Sequence, residues 1–145
     1  MTRTDDGPAR AAVDAAVDAA LDQFHAAASR ADGPALLARF AEDGVFLGTD
    51  ATERWAGDAF RAFVAERFAG GVGWTMTPVR RDVTVQGAVA WFDEDLAHAK
   101  MGALRGSGVL VRGADGDWRV ALYDLSVTVP NDRFDAVRTA IRGGA

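Results

Sequence analysis

Three consecutive acids, Asp93, Glu94 and Asp95, interrupt an apolar stretch that runs from Ala88 to Leu96. If that stretch is a strand, its side chains alternate between two faces, so at least one carboxylate points toward whatever the strand covers. A carboxylate facing a core needs a partner or a raised pKa, because an unpaired buried charge is costly. The other possibility is that the strand curls out of the domain here and both faces are wet. Arg105 lies on the next apolar segment, across a connection between Leu96 and Ala103. One hairpin register sets Glu94 near Arg105 and Phe92 near Ser107; a slip of one residue sets Asp93 against Arg105. Either register forms an acid–arginine pair, which on a wet surface would be worth little.

Two further positions have the right chemistry. From Trp118 onward, strict alternation puts Trp118, Val120, Leu122, Asp124 and Ser126 on one face and Arg119, Ala121, Tyr123, Leu125 and Val127 on the other. A mostly apolar face carrying Asp124 and Ser126 has the makeup of a pocket wall, although Asp124 could equally tie a nearby backbone group. His25 lies beside Phe24, and an imidazole there suits an acid, a base or a satisfied core residue. Asp124, Glu94 and His25 are therefore the candidate catalytic groups. The two histidines, His25 and His98, lack metal-binding spacing, so no metal site is expected. Gly70-Gly71-Val72-Gly73 follows a helix instead of opening one, the wrong context for a phosphate loop.

The elements that must position these groups follow from periodicity. Asp5-Asp6 and Pro8 form a helix start, and Val13, Val17, Leu21, Phe24 and Ala28 recur at helical spacing. Asp32-Gly33-Pro34 begins a second, short helix through Leu36, Leu37 and Phe40, and Glu42-Asp43-Gly44 reads as a turn. Val45 to Gly48 is a short strand. A third helix is expected from an Asp58 cap, with Phe60, Phe63, Val64 and Phe68 on one stripe. Four β segments follow: Trp74–Gln86 with an irregularity at Pro78, Ala88–Leu96, Arg105–Arg112 and Trp118–Val129. Pro130-Asn131-Asp132 caps a last helix bearing Phe134, Val137 and Ile141. Helices first and sheet afterwards indicate an α+β domain occupying residues 1–145.

Composition narrows the function classes. Sixteen Lys and Arg against twenty-one Asp and Glu give a formal charge of −5, with no basic run to neutralise nucleic-acid phosphates. With no Cys, disulfides, thiolate nucleophiles and Cys-ligated zinc are excluded. Met1 to Ala20 lacks a signal-peptide core and no apolar run has membrane-spanning length, so the expectation is a cytoplasmic protein that engages neither membrane nor nucleic acid.

Three stretches resemble the SnoaL-like branch of the nuclear transport factor 2-like superfamily. They are Phe46 through Trp55 (FLGTDATERW), Trp91 through Glu94 (WFDE), and Arg105 through Arg112 (RGSGVLVR) continuing by Trp118-Arg119-Val120 to Ser126. The resemblance implies a cystatin-like roll: a cone-shaped, curved antiparallel sheet with three helices packed on its concave face and a ligand cavity inside the cone. It places Phe46, Asp50, Glu53 and Trp55 at the cavity rim. Trp91 or Phe92, Arg105, Ser107 and Ser126 then become candidate ligand contacts, according to which face of the Trp91–Asp95 strand points inward. Glu53 and Arg54 could equally be a structural tie. The family's sheets commonly pair into dimers, and the apolar Tyr123–Leu125 face needs cover, so a homodimer centred on those two residues is expected.

The first expectation for function is a binder of a small, largely apolar molecule in the cone cavity. The alternatives are a cofactor-independent acid–base enzyme of isomerase, cyclase or dehydratase type, using a pocket carboxylate, and a structural dimerisation module. None of these requires a cofactor.

Overall fold

Val17, Leu21, Phe24 and Ala28 share one stripe of the first helix, and burying that stripe organises the domain. The computed structural model describes residues 7–143. In it, α1 spans Pro8–Ser29 and buries Val17, Ala20, Leu21, Phe24, His25, Ala27 and Ala28. Asp5 and Asp6 lie outside the described residues. Asp32 caps α2 (Gly33–Ala38), its carboxylate accepting from the Ala35 amide at 3.1 Å. The second helix stops there: Phe40, expected on its stripe, begins strand β1 (Phe40–Leu47). Glu42-Asp43-Gly44 is accordingly an irregularity within that strand, not a turn before it. A short β2 (Arg54–Ala56) leads into α3 (Gly57–Phe68), which starts one residue before Asp58.

Strands β3 (Thr77–Gln86), β4 (Val89–His98), β5 (Gly102–Arg112) and β6 (Trp118–Val127) form the meander. The six-stranded curved sheet has the order β2-β1-β6-β5-β4-β3. It is antiparallel except that β1 runs parallel to β6, setting Phe46 beside Tyr123. The expected irregularity at Pro78 appears as a register shift between Pro78 and Arg80. α1, α2 and α3 cover the concave side, closing a core in which Phe24, Phe40, Phe46, Phe60, Phe92 and Tyr123 are in edge-on, tilted or stacked contact. A single 3-10 turn (Asn131–Arg133) and α4 (Phe134–Ile141) follow the sheet.

One local event changes which face of β6 is which. Val109 pairs with Leu122, but Leu110 pairs with Val120, so Ala121 is an extra residue in β6. Strict alternation fails at that bulge. Trp118 and Val120 point into the core before it, and Tyr123 and Leu125 after it, at 1% and 6% exposure. The expectation of Tyr123 and Leu125 at a dimer surface is therefore overturned. Gly108 permits the bulge: a Cβ there would lie 1.9 Å from the Leu122 carbonyl oxygen.

Candidate functional site

β4 sends Ala90, Phe92, Glu94 and Leu96 inward and leaves Trp91, Asp93 and Asp95 on the outside. Glu94 is fully buried, and its neutralisation comes from three elements. His25 Nε2 on α1 and the Tyr123 hydroxyl on β6 both donate to Oε1 at 2.7 Å. Arg81 on β3, directly opposite Glu94 in the ladder, donates Nε–H to Oε2 at 2.8 Å. Arg81 in turn reaches Asp22 at 2.9 Å and Asp18 at 3.4 Å. Asp18, Asp22 and His25 fall at i, i+4 and i+7 on α1, one polar edge beside its apolar stripe. Gly106 on β5 leaves room for the knot, since a Cβ there would stand 2.1 Å from the Tyr123 oxygen.

Burial opposes the charge on Glu94, but the His25 and Tyr123 hydrogen bonds and the Arg81 charge outweigh it and hold its pKa below the ordinary carboxylate value. Burial and the adjacent carboxylate push the Tyr123 hydroxyl well above the usual phenol range. An ionised carboxylate only accepts, so His25 Nε2 carries the proton; His25 Nδ1 and Arg81 Nη2 are buried without a protein partner among the described residues.

A cavity of about 320 Å³ opens at the end of the cone where β6 finishes and the β4–β5 hairpin turns. Phe46, Phe63, Trp74, Met76 and Leu125 supply apolar wall; Thr49, Glu53, Arg67, His98 and Lys100 supply polar groups. Phe46 separates the two regions: one side faces this cavity, and its ring stacks on Tyr123 at 5.8 Å. Arg67 lies over Trp74 at 5.6 Å. His98 Nδ1 accepts from the Lys100 and Met101 amides, each at 3.1 Å, so Nε2–H is its remaining donor.

The SnoaL-like domain model matches residues 17–130. This chain belongs to the SnoaL-like family. No curated protein matches the sequence. Among solved structures, this SnoaL-like domain is similar to an NTF2-like protein of unknown function from Pseudomonas putida, with 18% identity and a TM-score of 0.67 over 84% of this chain and 91% of that one. A cystatin-like-fold protein of unknown function from Nostoc punctiforme aligns with 15% identity and a TM-score of 0.65, over 79% and 90%. A ketosteroid isomerase-like protein from Erwinia carotovora atroseptica gives 23% identity and a TM-score of 0.59, over 80% and 96%. At these identities the likeness is one of fold.

The expected site residues of this SnoaL-like domain divide three ways. Glu94, His25 and Phe92 come together in the interior. Phe46 and Glu53 line the cavity, Asp50 sits beside it as a turn former that accepts from Thr52, and Trp55 backs the wall by stacking on Phe63 at 4.5 Å. Asp124, Ser126, Arg105, Ser107 and Trp91 lie on the outer face, away from both regions. The hairpin register explains Arg105: Asp95 opposes it and Glu94 opposes Gly106, so neither expected pairing forms. The Ala121 bulge explains Asp124 and Ser126. On the outer face Arg80 joins Asp82, Asp93 and Asp95.

Arg81, Tyr123, Phe63, Trp74, Met76, Leu125 and His98 were not among the site residues expected from the sequence. The Asp18, Asp22, His25 spacing was the available signal for a cation near Glu94. Among the described residues no three metal-ligating side chains gather, and no helix is long and apolar enough to cross a membrane.

Proposed function

We propose that this SnoaL-like domain binds a small, largely apolar molecule at the open end of its cone. The observation that carries this is the cavity, walled by three aromatic rings, each backed by a further ring, with polar groups confined to a few positions. Specific pockets of modest size have that makeup. Affinity would come from Phe46, Phe63 and Trp74, and orientation from Glu53, Arg67 and His98 Nε2–H. Binding of the dye anilinonaphthalene sulfonate tests this. Leu125→Trp, which fills the cavity floor, should abolish binding; unchanged dye affinity in that variant would place the ligand elsewhere.

An acid–base enzyme is the second reading, favoured by the convergence of His25, Glu94 and Tyr123. Glu94 is poorly suited to it. Its two oxygens already accept three hydrogen bonds, its basicity is lowered, and Phe46 stands between it and the cavity. A general base works best with a pKa near the operating pH. Glu94 is better understood as the buried tie between α1 and the sheet. A purely structural module would fill its own cone, and about 320 Å³ remains open.

The same proposal includes a homodimer through the outer sheet face, re-centred on Trp91, Val109 and Leu122. These three are neighbours across β4, β5 and β6, and Trp91 is 42% exposed.

A further inference from the structure

The cavity at the open end of the cone sorts its lining by depth. Phe46, Met76 and Leu125 are buried and make an apolar floor. Arg67 and Lys100 are exposed and form the rim, while His98 and Glu53 are half-buried. Lys100 is the only lysine in the sequence. Of the three charged side chains among the described lining residues, Arg67, Lys100 and Glu53, two are cations, in a chain whose formal charge is −5.

The cations and the histidine donor are not committed to acids of this chain. Arg67 Nη1 donates to the Val72 carbonyl at 3.0 Å and the guanidinium lies over the Trp74 ring, so the group is held in place. Its other N–H groups have no protein partner among the described residues, and neither has the Lys100 ammonium. His98 gives Nδ1 to two backbone amides and keeps Nε2–H as its donor. Glu53, by contrast, is occupied. Its Oε1 accepts from the Asp50 amide at 3.0 Å, and its carboxyl carbon packs over Gly48, where a Cβ would stand 2.8 Å from it. Asp50 closes on the Thr52 amide at 2.8 Å, and Glu66, next to Arg67 in sequence, does not line the cavity.

A neutral ligand on the apolar floor would leave both rim cations without a counterpart, and a cationic one would meet like charge. We infer that the occupant is an apolar acid: its hydrocarbon body rests on Phe46, Trp74, Met76 and Leu125, and a single carboxylate reaches the rim, where Arg67, Lys100 and the Nε2–H of His98 meet it. The inference rests on the proposed binding at this cavity and names the class of molecule that binds. A charged acceptor suits these donors because hydrogen bonds to an ionised group are the stronger kind.

Two dyes that share one ring system test this: anilinonaphthalene sulfonate, whose sulfonate stands in for the carboxylate, and the neutral N-phenyl-1-naphthylamine. Both are titrated into the full wild-type chain and into Lys100→Met, R67M/K100M and Leu125→Trp, with each fold checked by circular dichroism and Tm. Leu125→Trp should abolish binding of both dyes. Lys100→Met removes an exposed ammonium without a partner, so the fold is kept; the sulfonate dye should bind about threefold more weakly and the neutral dye as before. In R67M/K100M the loss for the sulfonate dye should reach about tenfold, with the neutral dye within about twofold of wild type. Sulfonate binding that both cation variants leave unchanged, or equal losses for the two dyes, would overturn the acid while the apolar cavity stands as the binding site. Binding that survives Leu125→Trp, or no binding of either dye to wild type, would remove the cavity reading and this inference with it.

Discussion

Glu94→Gln isolates the charge at the centre of the interior knot while keeping the shape of the side chain. In the native arrangement Oε1 accepts from His25 and Tyr123, and Oε2 accepts from Arg81. An amide can keep one oxygen for the first pair, but its NH2 then faces the Nε–H of Arg81, donor against donor. Flipping the amide moves the conflict to His25 and Tyr123. The Arg81 side chain is only 8% exposed, so its cation cannot turn to water at that end, though it keeps Asp22 at 2.9 Å. Removing one partner of a buried pair costs roughly 3–5 kcal/mol, and the surviving Asp22 contact places the loss at the lower end, about 3 kcal/mol. With an m-value of about 2 kcal/mol/M, the urea midpoint should fall by about 1.5 M. Arg81→Met in the same chain should recover part of that, because no buried charge is then left unpaired.

The effect also has a pH signature. Glu94 has a lowered folded pKa, so its contribution is complete above the unfolded glutamate value, about 4.3, and drains away as pH falls through the lower folded value. The gap between wild type and Glu94→Gln should therefore narrow below about pH 4. A midpoint shift under about 0.3 M at neutral pH, or a gap that stays constant into acid, would refute the idea that an ionised Glu94 ties α1 to the sheet.

Further outcomes follow from neighbouring contacts. Gly106→Ala should destabilise by about 2 kcal/mol, because its Cβ meets the Tyr123 oxygen and the Glu94 side chain; a neutral effect in urea melts would mean that Tyr123 moves freely. Tyr123→Phe should cost about 1–2 kcal/mol near neutral pH. The Tyr123 pKa is raised, so the hydroxyl's contribution is complete below the unfolded value near 10 and is lost as pH rises beyond it. Alkaline melts should thus bring wild type toward Tyr123→Phe. Tyr123→Asp sets a second carboxylate against Glu94 in the core and should abolish the native fold by circular dichroism. A well-folded variant would show that Tyr123 is less enclosed than its 1% exposure indicates. His98→Ala frees the Lys100 and Met101 amides at the hairpin tip and should cost about 1 kcal/mol, with hydrogen exchange accelerating at those two amides.

Much of the fold was legible because its signals are local. The α1 stripe, the Asp32 cap, the Pro78 irregularity and the order of elements each depend on a few consecutive residues. Phe40 and Glu42-Asp43-Gly44 misled because acids and glycine punctuate loops and bulges alike. An inward carboxylate was legible, since period-two alternation turns at least one member of Asp93-Glu94-Asp95 toward the core whatever the register, and the structure makes it Glu94. Its companions were not legible in the same way. Arg81 and Arg105 stand on the two strands flanking β4, and only the ladder registers decide that Arg81 faces Glu94 while Arg105 faces Asp95.

What the sequence determined by itself was therefore the element order and an inward carboxylate, both properties of short-range periodicity, and, through the resemblance of three stretches, the family. The tertiary structure decided which face each functional residue occupies, through a single extra residue. Ala121 breaks the alternation of β6, sending Tyr123 into the Glu94 knot and Leu125 into the cavity, and turning Asp124 and Ser126 outward. A bulge has no reliable signature in its own strand, because it exists only relative to the neighbour it fails to match. Here that neighbour is β5, where Gly108 has no side chain to keep the Leu122 carbonyl away.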